Sequence, residues 1–131
     1  MVNGEALSFN EASVHLSSGT NLTVNSSGGA ITFEKRIRDT NGQNFTVNAG
    51  DTTGSTDTAV FSTGIGFGDS LGAVSITAAD GISLGSGVHT TGNIAFTGPV
   101  TLTDGVTVDS NHSGTDGNIT FSSTIDGSSQ A

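Results

Sequence analysis

The sequence predicts an all-β protein of the parallel β-solenoid class, with three short strands in each coil and about four coils. Short apolar triplets recur along the chain, turn residues separate them, and the triplets repeat with a loose period of about 25 residues. A single coil cannot bury its own apolar face, so the coils must stack to form a core. We therefore expect one solenoid segment that spans residues 1–131.

Each triplet places two apolar residues on either side of a small one, as in Leu22-Thr23-Val24, Ile31-Thr32-Phe33 and Ile94-Ala95-Phe96. In a strand, this period of two sends both apolar side chains to one face and the middle side chain to the other. Turn-forming pairs such as Gly28-Gly29 and Asp80-Gly81 lie between the triplets. The pattern predicts short strands with an apolar inner face and almost no helix.

The triplets sort into three interleaved classes, one for each predicted face of the solenoid. Class A begins at Leu22, Phe45, Val74 and Val100; class B begins at Ile31, Ala59, Ile82 and Val106; class C begins at Val14, Ile37, Ile65, Ile94 and Ile119. Successive starts within a class recur near the same spacing, although the interval varies from coil to coil. Two insertions, at 51–58 and 109–117, are expected to leave the coils as surface loops.

The two ends of the chain are predicted to differ from its repeating part. Within residues 1–11, Val2, Leu7 and Phe9 are expected to fold over the first triplet as a partial cap, and residues 122–131 form a polar tail. Edge strands offer unpaired backbone groups, so we expect the chain to associate with itself by end-to-end stacking of coils. Four coils rise only about 20 Å, which predicts that this segment belongs to a much longer repetitive protein.

The composition narrows the partners and the location. The chain has 3 Lys and Arg against 12 Asp and Glu, a formal net charge of −9, and no Cys. Nucleic-acid backbones need several basic contacts, so the charge argues against nucleic acid. No apolar run reaches the roughly 18 residues that a membrane span needs. Abundant Ser, Thr, Asn and Gly without Cys are typical of bacterial extracellular proteins and predict a secreted or cell-surface location.

Five stretches carry a family resemblance: Leu22-Thr23-Val24-Asn25, Gly29-Ala30-Ile31-Thr32-Phe33, Phe45-Thr46-Val47-Asn48-Ala49-Gly50, Gly92-Asn93-Ile94-Ala95-Phe96 and Gly117-Asn118-Ile119-Thr120-Phe121. They resemble the repeats of filamentous-haemagglutinin-like bacterial surface proteins, and the resemblance covers most of residues 12–126. It implies a right-handed parallel β-helix within a very large secreted adhesin or exoprotein. A host or cell-surface receptor would then be a further partner.

The sequence gives little support to catalysis. Sugar hydrolases and lyases need clustered carboxylates or basic residues on one face, whereas the predicted outward strand positions carry mostly Thr, Ser, Ala and Gly. Trp and Tyr, which form platforms for sugars, are absent. His15, His89 and His112 are widely spaced and show no metal-ligand signature, so we interpret them as solvent-facing. We therefore expect a non-enzymatic structural protein.

An alternative function is ligand binding by the outward side chains of class A. They form two predicted ranks: Thr23, Thr46, Ser75 and Thr101 in one, and Asn25, Asn48, Thr77 and Thr103 in the other. A flat array of small hydroxyl and amide groups could bind ice or carbohydrate. The simpler interpretation is that Asn25 and Asn48 lie at coil corners and form a hydrogen-bonded ladder along the stack.

Two acidic loops offer oxygen ligands of the kind that calcium prefers. One loop runs from Asp51 to Asp57 and the other from Asp109 to Asp116. Neither loop matches the EF-hand pattern, and the GGxGxD nonapeptide is absent. Calcium is therefore the one cofactor that the sequence suggests, and the alternative is that these Asp side chains bond to their own backbone in Asx turns.

Overall fold

The computed structural model describes residues 6–17, 19–26, 28–50, 56–67, 71–112, 114 and 116–128. These residues form fifteen short strands, and all of the strand pairs are parallel. The arrangement confirms the predicted all-β parallel solenoid. Within the described ranges, no helix is long and apolar enough to cross a membrane.

The strands have the following bounds in chain order. They are β1 (Leu7–Phe9), β2 (Val14–Leu16), β3 (Leu22–Asn25), β4 (Ile31–Phe33), β5 (Ile37–Asp39), β6 (Phe45–Gly50), β7 (Thr58–Phe61), β8 (Val74–Ala78), β9 (Gly81–Leu84), β10 (Val88–His89), β11 (Ile94–Thr97), β12 (Val100–Leu102), β13 (Val108–Asp109), β14 (Ile119–Phe121) and β15 (Ile125–Gly127).

The strands stack into three faces. The first face has the order β14-β11-β8-β6-β3, and the second face has the order β1-β4-β7-β9-β12-β15. The third face consists of the pairs β2–β5 and β10–β13, which single bridges at Ile65 connect to Ile37 and Val88. Each coil passes through the second, third and first faces in turn. The chain therefore completes five coils, one more than predicted, and β15 begins a sixth.

Through the first three coils, class A corresponds to the first face, class B to the second and class C to the third. The agreement extends to Ile82, which begins the fourth coil on the second face. Beyond Ile82 the prediction is wrong by one strand. Val100, assigned to class A, pairs with Ile82 on the second face. Ile94 and Ile119, both assigned to class C, pair with each other on the first face, where Ile94 also pairs with Val74.

One short coil explains this error. The coil that begins at Ile82 reaches its second-face partner Val100 in far fewer residues than separate Ile31 from its partner Ala59. It is short because its connections are brief: residues 85–87 link β9 to β10, residues 90–93 link β10 to β11, and Gly98-Pro99 links β11 to β12. Because the prediction assumes a period of about 25 residues, it does not detect this shorter coil. Each later triplet is therefore assigned to the wrong face. Val106, assigned to class B, lies outside the strands.

Buried apolar side chains fill the space between the three faces. Phe33 stacks between Phe9 and Phe61, with ring centroids 4.7 Å and 5.2 Å away, and Phe45 meets it edge-on at 5.5 Å. In-register pairing of β1, β4 and β7 aligns the three stacked rings. The core is therefore a column along the solenoid axis, built from equivalent positions of successive coils.

Both ends of the described chain are strands of the second face. Leu7–Phe9, predicted as part of a cap, form β1 and pair in register with β4. In the predicted polar tail, Ile125–Gly127 form β15 and pair with β12. Val2 and the rest of residues 1–5, like residues 129–131, lie outside the described residues. The solenoid ladder is thus longer at both ends than the triplets indicate.

Candidate functional site

The outward side chains of the first face form the two predicted ranks, but only over three coils. Thr23 pairs with Thr46, and Thr46 with Ser75. The next members of this rank are Ala95 and Thr120, since β11 and β14 continue the face. Because Ala95 has no hydroxyl group, it interrupts the row of hydroxyl side chains between Ser75 and Thr120.

The second rank begins with two asparagines. Asn25 pairs with Asn48, whose Nδ2 donates a hydrogen bond of 2.8 Å to Asn25 Oδ1. Thr77 and Thr97 follow in register. The two amide groups bond to each other, which confirms the predicted ladder between Asn25 and Asn48. This bond favours a structural role for the amides over ligand binding.

Thr101 and Thr103 do not belong to these ranks, so this part of the prediction is wrong. Thr101 lies in β12 on the second face and pairs with Ser83. Thr103 follows β12, and its backbone N–H and hydroxyl both donate to the carbonyl of Leu84, at 2.9 Å and 3.3 Å. The cause is the short fourth coil, which moves β12 from the predicted first face to the second.

A second asparagine ladder lies at the corner that precedes the first face. The side-chain oxygen of Asn21 accepts the backbone N–H of Asn44, and that of Asn44 accepts the N–H of Ala73. In the last two coils, Asn93 Oδ1 accepts the N–H of Asn118 at 2.9 Å. Each amide therefore binds the backbone of the following coil. Ala73 interrupts the ladder, because it has no side-chain acceptor.

Of the four Asp residues that were predicted as calcium ligands, the structure describes Asp57, Asp109 and Asp116, and their surroundings differ. Asp51 lies outside the described residues. Asp57 is buried against Gly50, and its backbone N–H donates to Asp80 Oδ2 at 3.1 Å. Asp116 is exposed.

Asp109 makes the Asx turn that was the alternative to calcium binding. Its Oδ1 accepts the backbone N–H of Asn111 at 2.9 Å. The other carboxylate oxygen, Oδ2, faces two histidines instead of further oxygen ligands. It lies 3.7 Å from His89 Nδ1 and 3.9 Å from His112 Nδ1. This donor set differs from the all-oxygen shell that calcium requires.

The two histidines belong to a column of side chains on the outside of the third face. Arg36 Cζ lies 5.7 Å above the ring of Phe67, and the Phe67 ring meets His89 edge-on with centroids 4.5 Å apart. His89 in turn meets His112 edge-on at 5.4 Å. The column crosses from the second coil to the fifth.

His89, Asp109 and His112 form a cluster in which the three ligand atoms lie within 4.8 Å of one another. It is the one such group of three or more His, Cys, Asp or Glu among the described residues. His89 and Asp109 are register partners in β10 and β13, and His112 follows Asp109 by three residues. The expectation of separate, solvent-facing histidines is wrong for His89, whose side chain is only 16% exposed. His15 is exposed, as predicted.

Together, the stacked coils and the axial side-chain ladders define a β-solenoid repeat protein. Comparison of the chain with protein-family models, with curated proteins and with solved structures finds no match. Its class therefore rests on the fold described above.

Proposed function

We propose that this chain is a non-enzymatic structural segment of a secreted bacterial surface protein or adhesin, in which stacked coils form a rigid stalk. The observation that carries the proposal is the unbroken parallel ladder of the second face, which links six strands from β1 to β15. Backbone hydrogen bonds and stacked phenylalanines both run along the axis. Such a ladder resists bending and extension, and further coils lengthen it without a new kind of contact.

The end surfaces of the solenoid support stacking on further coils. At the end formed by the last strands, Ile119 in β14 is 41% exposed and Ile125 in β15 is 49% exposed, although equivalent residues of inner coils are fully buried. At the other end, Leu22 and Val24 of β3 are only partly covered. A second copy that sets β3 on β14 would bury these four side chains together and extend the first-face ladder from one copy to the next.

The second face limits this association. When a second copy stacks on the last coil, its β1 would have to pair with β12 of the first copy. That edge of β12 is already paired with β15 of the first copy. Copies can therefore stack on the first and third faces while β1 and β15 compete for the same edge of β12. The contact joins unlike ends, so it can continue into filaments instead of closing as a dimer. The net charge of −9 opposes association, and salt should promote it by screening.

Sedimentation velocity over a series of protein and salt concentrations tests the proposal. The wild-type chain should form a ladder of species that grows with both variables. Ile119→Lys should abolish it, because the change places a charge on the apolar end surface. Ser62→Lys is the matched control, since it adds the same charge at an exposed position in the middle of the stack. A wild type that stays monomeric at high concentration and high salt, or equal effects of the two variants, would contradict end-to-end stacking.

A further inference from the structure

We propose that His89, Asp109 and His112 form a binding site for one divalent transition-metal ion of the zinc type. The proposed stalk function does not require this site, and it rests on a different part of the molecule. Three observations carry it: the spacing of the ligand atoms, the burial of His89, and the backbone contacts that hold all three residues in place.

The spacing of the ligand atoms fits a shared ion better than direct hydrogen bonds. Asp109 Oδ2 lies 3.7 Å from His89 Nδ1 and 3.9 Å from His112 Nδ1, which is too long for a hydrogen bond. Two ligand atoms on a tetrahedral zinc ion, with bonds of about 2.0–2.2 Å, lie about 3.3–3.6 Å apart. A movement of a few tenths of an ångström brings these two pairs to coordination distance. The ligand nitrogens of His89 and His112 lie within 4.8 Å of each other, so this third pair closes by up to about 1.5 Å as the partly exposed His112 side chain turns toward the ion.

His89 supplies the fixed ligand. Both of its ring nitrogens are buried, and neither has a hydrogen-bond partner among the described residues. An imidazole without partners for either nitrogen is costly to bury. The Phe67 ring packs edge-on against the imidazole, whose Nδ1 lies 3.7 Å from Asp109 Oδ2. A metal ion bound at Nδ1 would satisfy this nitrogen.

The backbone around the three residues is anchored to its neighbours. The His89 N–H donates to the carbonyl of Ile65 at 2.9 Å, and the His112 N–H donates to the carbonyl of Thr90 at 3.0 Å. The Asx turn of Asp109 fixes its carboxylate and leaves Oδ2 to face the histidines. The side chains of Asp109 and His112 are 37% and 39% exposed, so an ion can reach them from solvent. The site therefore combines one rigid ligand with two that can adjust.

The ligand types select the ion. Two imidazole nitrogens and one carboxylate oxygen suit zinc and its first-row neighbours cobalt, nickel and copper. Calcium and magnesium prefer shells of oxygen atoms and gain little from imidazole. Three protein ligands leave a fourth tetrahedral position for water. Because His89 belongs to the fourth coil and Asp109 and His112 to the fifth, the ion would tie these coils together and fix the loop that follows β13.

Metal titration of the untagged chain tests the site. Isothermal titration calorimetry with zinc chloride should give one ion per chain. Cobalt(II) chloride should produce the visible absorption of a tetrahedral complex, which zinc then removes by displacement. A 100-fold excess of zinc over its dissociation constant should raise the melting temperature by roughly 5–10 °C. Calcium chloride should leave the melting temperature unchanged.

Two variants and one control decide whether these residues hold the metal. Asp109→Asn and His112→Gln should each weaken zinc binding at least tenfold, and circular dichroism should show that both variants retain the fold. His15→Gln removes an exposed histidine from the same face in the first coil and should change nothing. The proposal is overturned if the wild type binds no stoichiometric zinc. It is also overturned if Asp109→Asn and His112→Gln bind zinc as the wild type does, or if His15→Gln weakens binding as much as they do.

Discussion

Replacement of Phe33 by alanine should remove more stability than any other single truncation in the phenylalanine column. The Phe33 ring is 1% exposed and lies between Phe9 and Phe61, with Phe45 at its edge. Buried Phe→Ala changes cost about 3–5 kcal/mol, and the cost rises when the surroundings cannot collapse into the cavity. Here the ladder from β1 through β4 to β7 fixes the coil spacing. We therefore expect a loss of about 4–5 kcal/mol, a large part of the total stability of an ordinary domain.

Phe121→Ala is the matched comparison, because its ring stacks on Phe96 at 4.9 Å but belongs to the last coil of the first face and is only partly buried. Truncation there should cost about 1–2 kcal/mol. Urea denaturation followed by far-ultraviolet circular dichroism measures both losses, at low protein and salt concentrations so that chains do not associate. Equal losses, or a loss below about 1 kcal/mol for Phe33→Ala, would refute the view that the column is a rigid core.

Two further substitutions test how successive coils contact each other, by the same denaturation assay. Ala73→Asn completes the interrupted corner ladder by offering an acceptor to the backbone N–H of Asn93, and should raise the free energy of unfolding by about 0.5–1.5 kcal/mol; a loss of stability would contradict the ladder. Gly98→Ala should cost about 2 kcal/mol or more, because Gly98 has a φ of +125° and a Cβ there would overlap the carbonyl oxygen of Ala78. Gly105→Ala, whose Cβ would meet nothing within 4 Å, should change stability by less than about 0.5 kcal/mol.

The sequence was sufficient to predict the fold class because strand alternation is a local signal. A triplet such as Ile31-Thr32-Phe33 shows its inward and outward residues without any knowledge of its neighbours, and the structure buries Ile31 and Phe33 as expected. The assignment of triplets to faces is not local. It depends on the length of each coil, and the short step from Ile82 to Val100 cannot be read from an average period. The end strands differ in how much signal they carry. Leu7-Ser8-Phe9 has the apolar–small–apolar form of a strand although it was predicted as part of a cap, whereas Ile125-Asp126-Gly127 has one apolar residue and lacks that form.

The wrong assignment of triplets to faces after Ile82 is also the reason why the sequence did not predict the histidine cluster. His89 and Asp109 are far apart in the sequence, and only the register of β10 against β13 shows that they are neighbours. The signal that could have revealed them is Val88-His89 and Val108-Asp109, two short apolar–polar pairs at equivalent places before the first-face strands. The predicted calcium loop contains Asp109 and His112, but the calcium hypothesis uses only its oxygen ligands. A correct assignment of the third face would have added His89 to them.

Among the described residues, the third face has the least continuous strand pairing between coils, and the side-chain column lies on this face. Its strands β10 and β13 pair over two residues, and the described part of the third coil contributes single bridges at Ile65 and Leu71. The first and second faces each carry a continuous ladder through all coils. Contacts of Arg36, Phe67, His89 and His112 therefore add cohesion where the ladder is weakest. A metal ion between the fourth and fifth coils would strengthen this face at the point where the loop after β13 interrupts it.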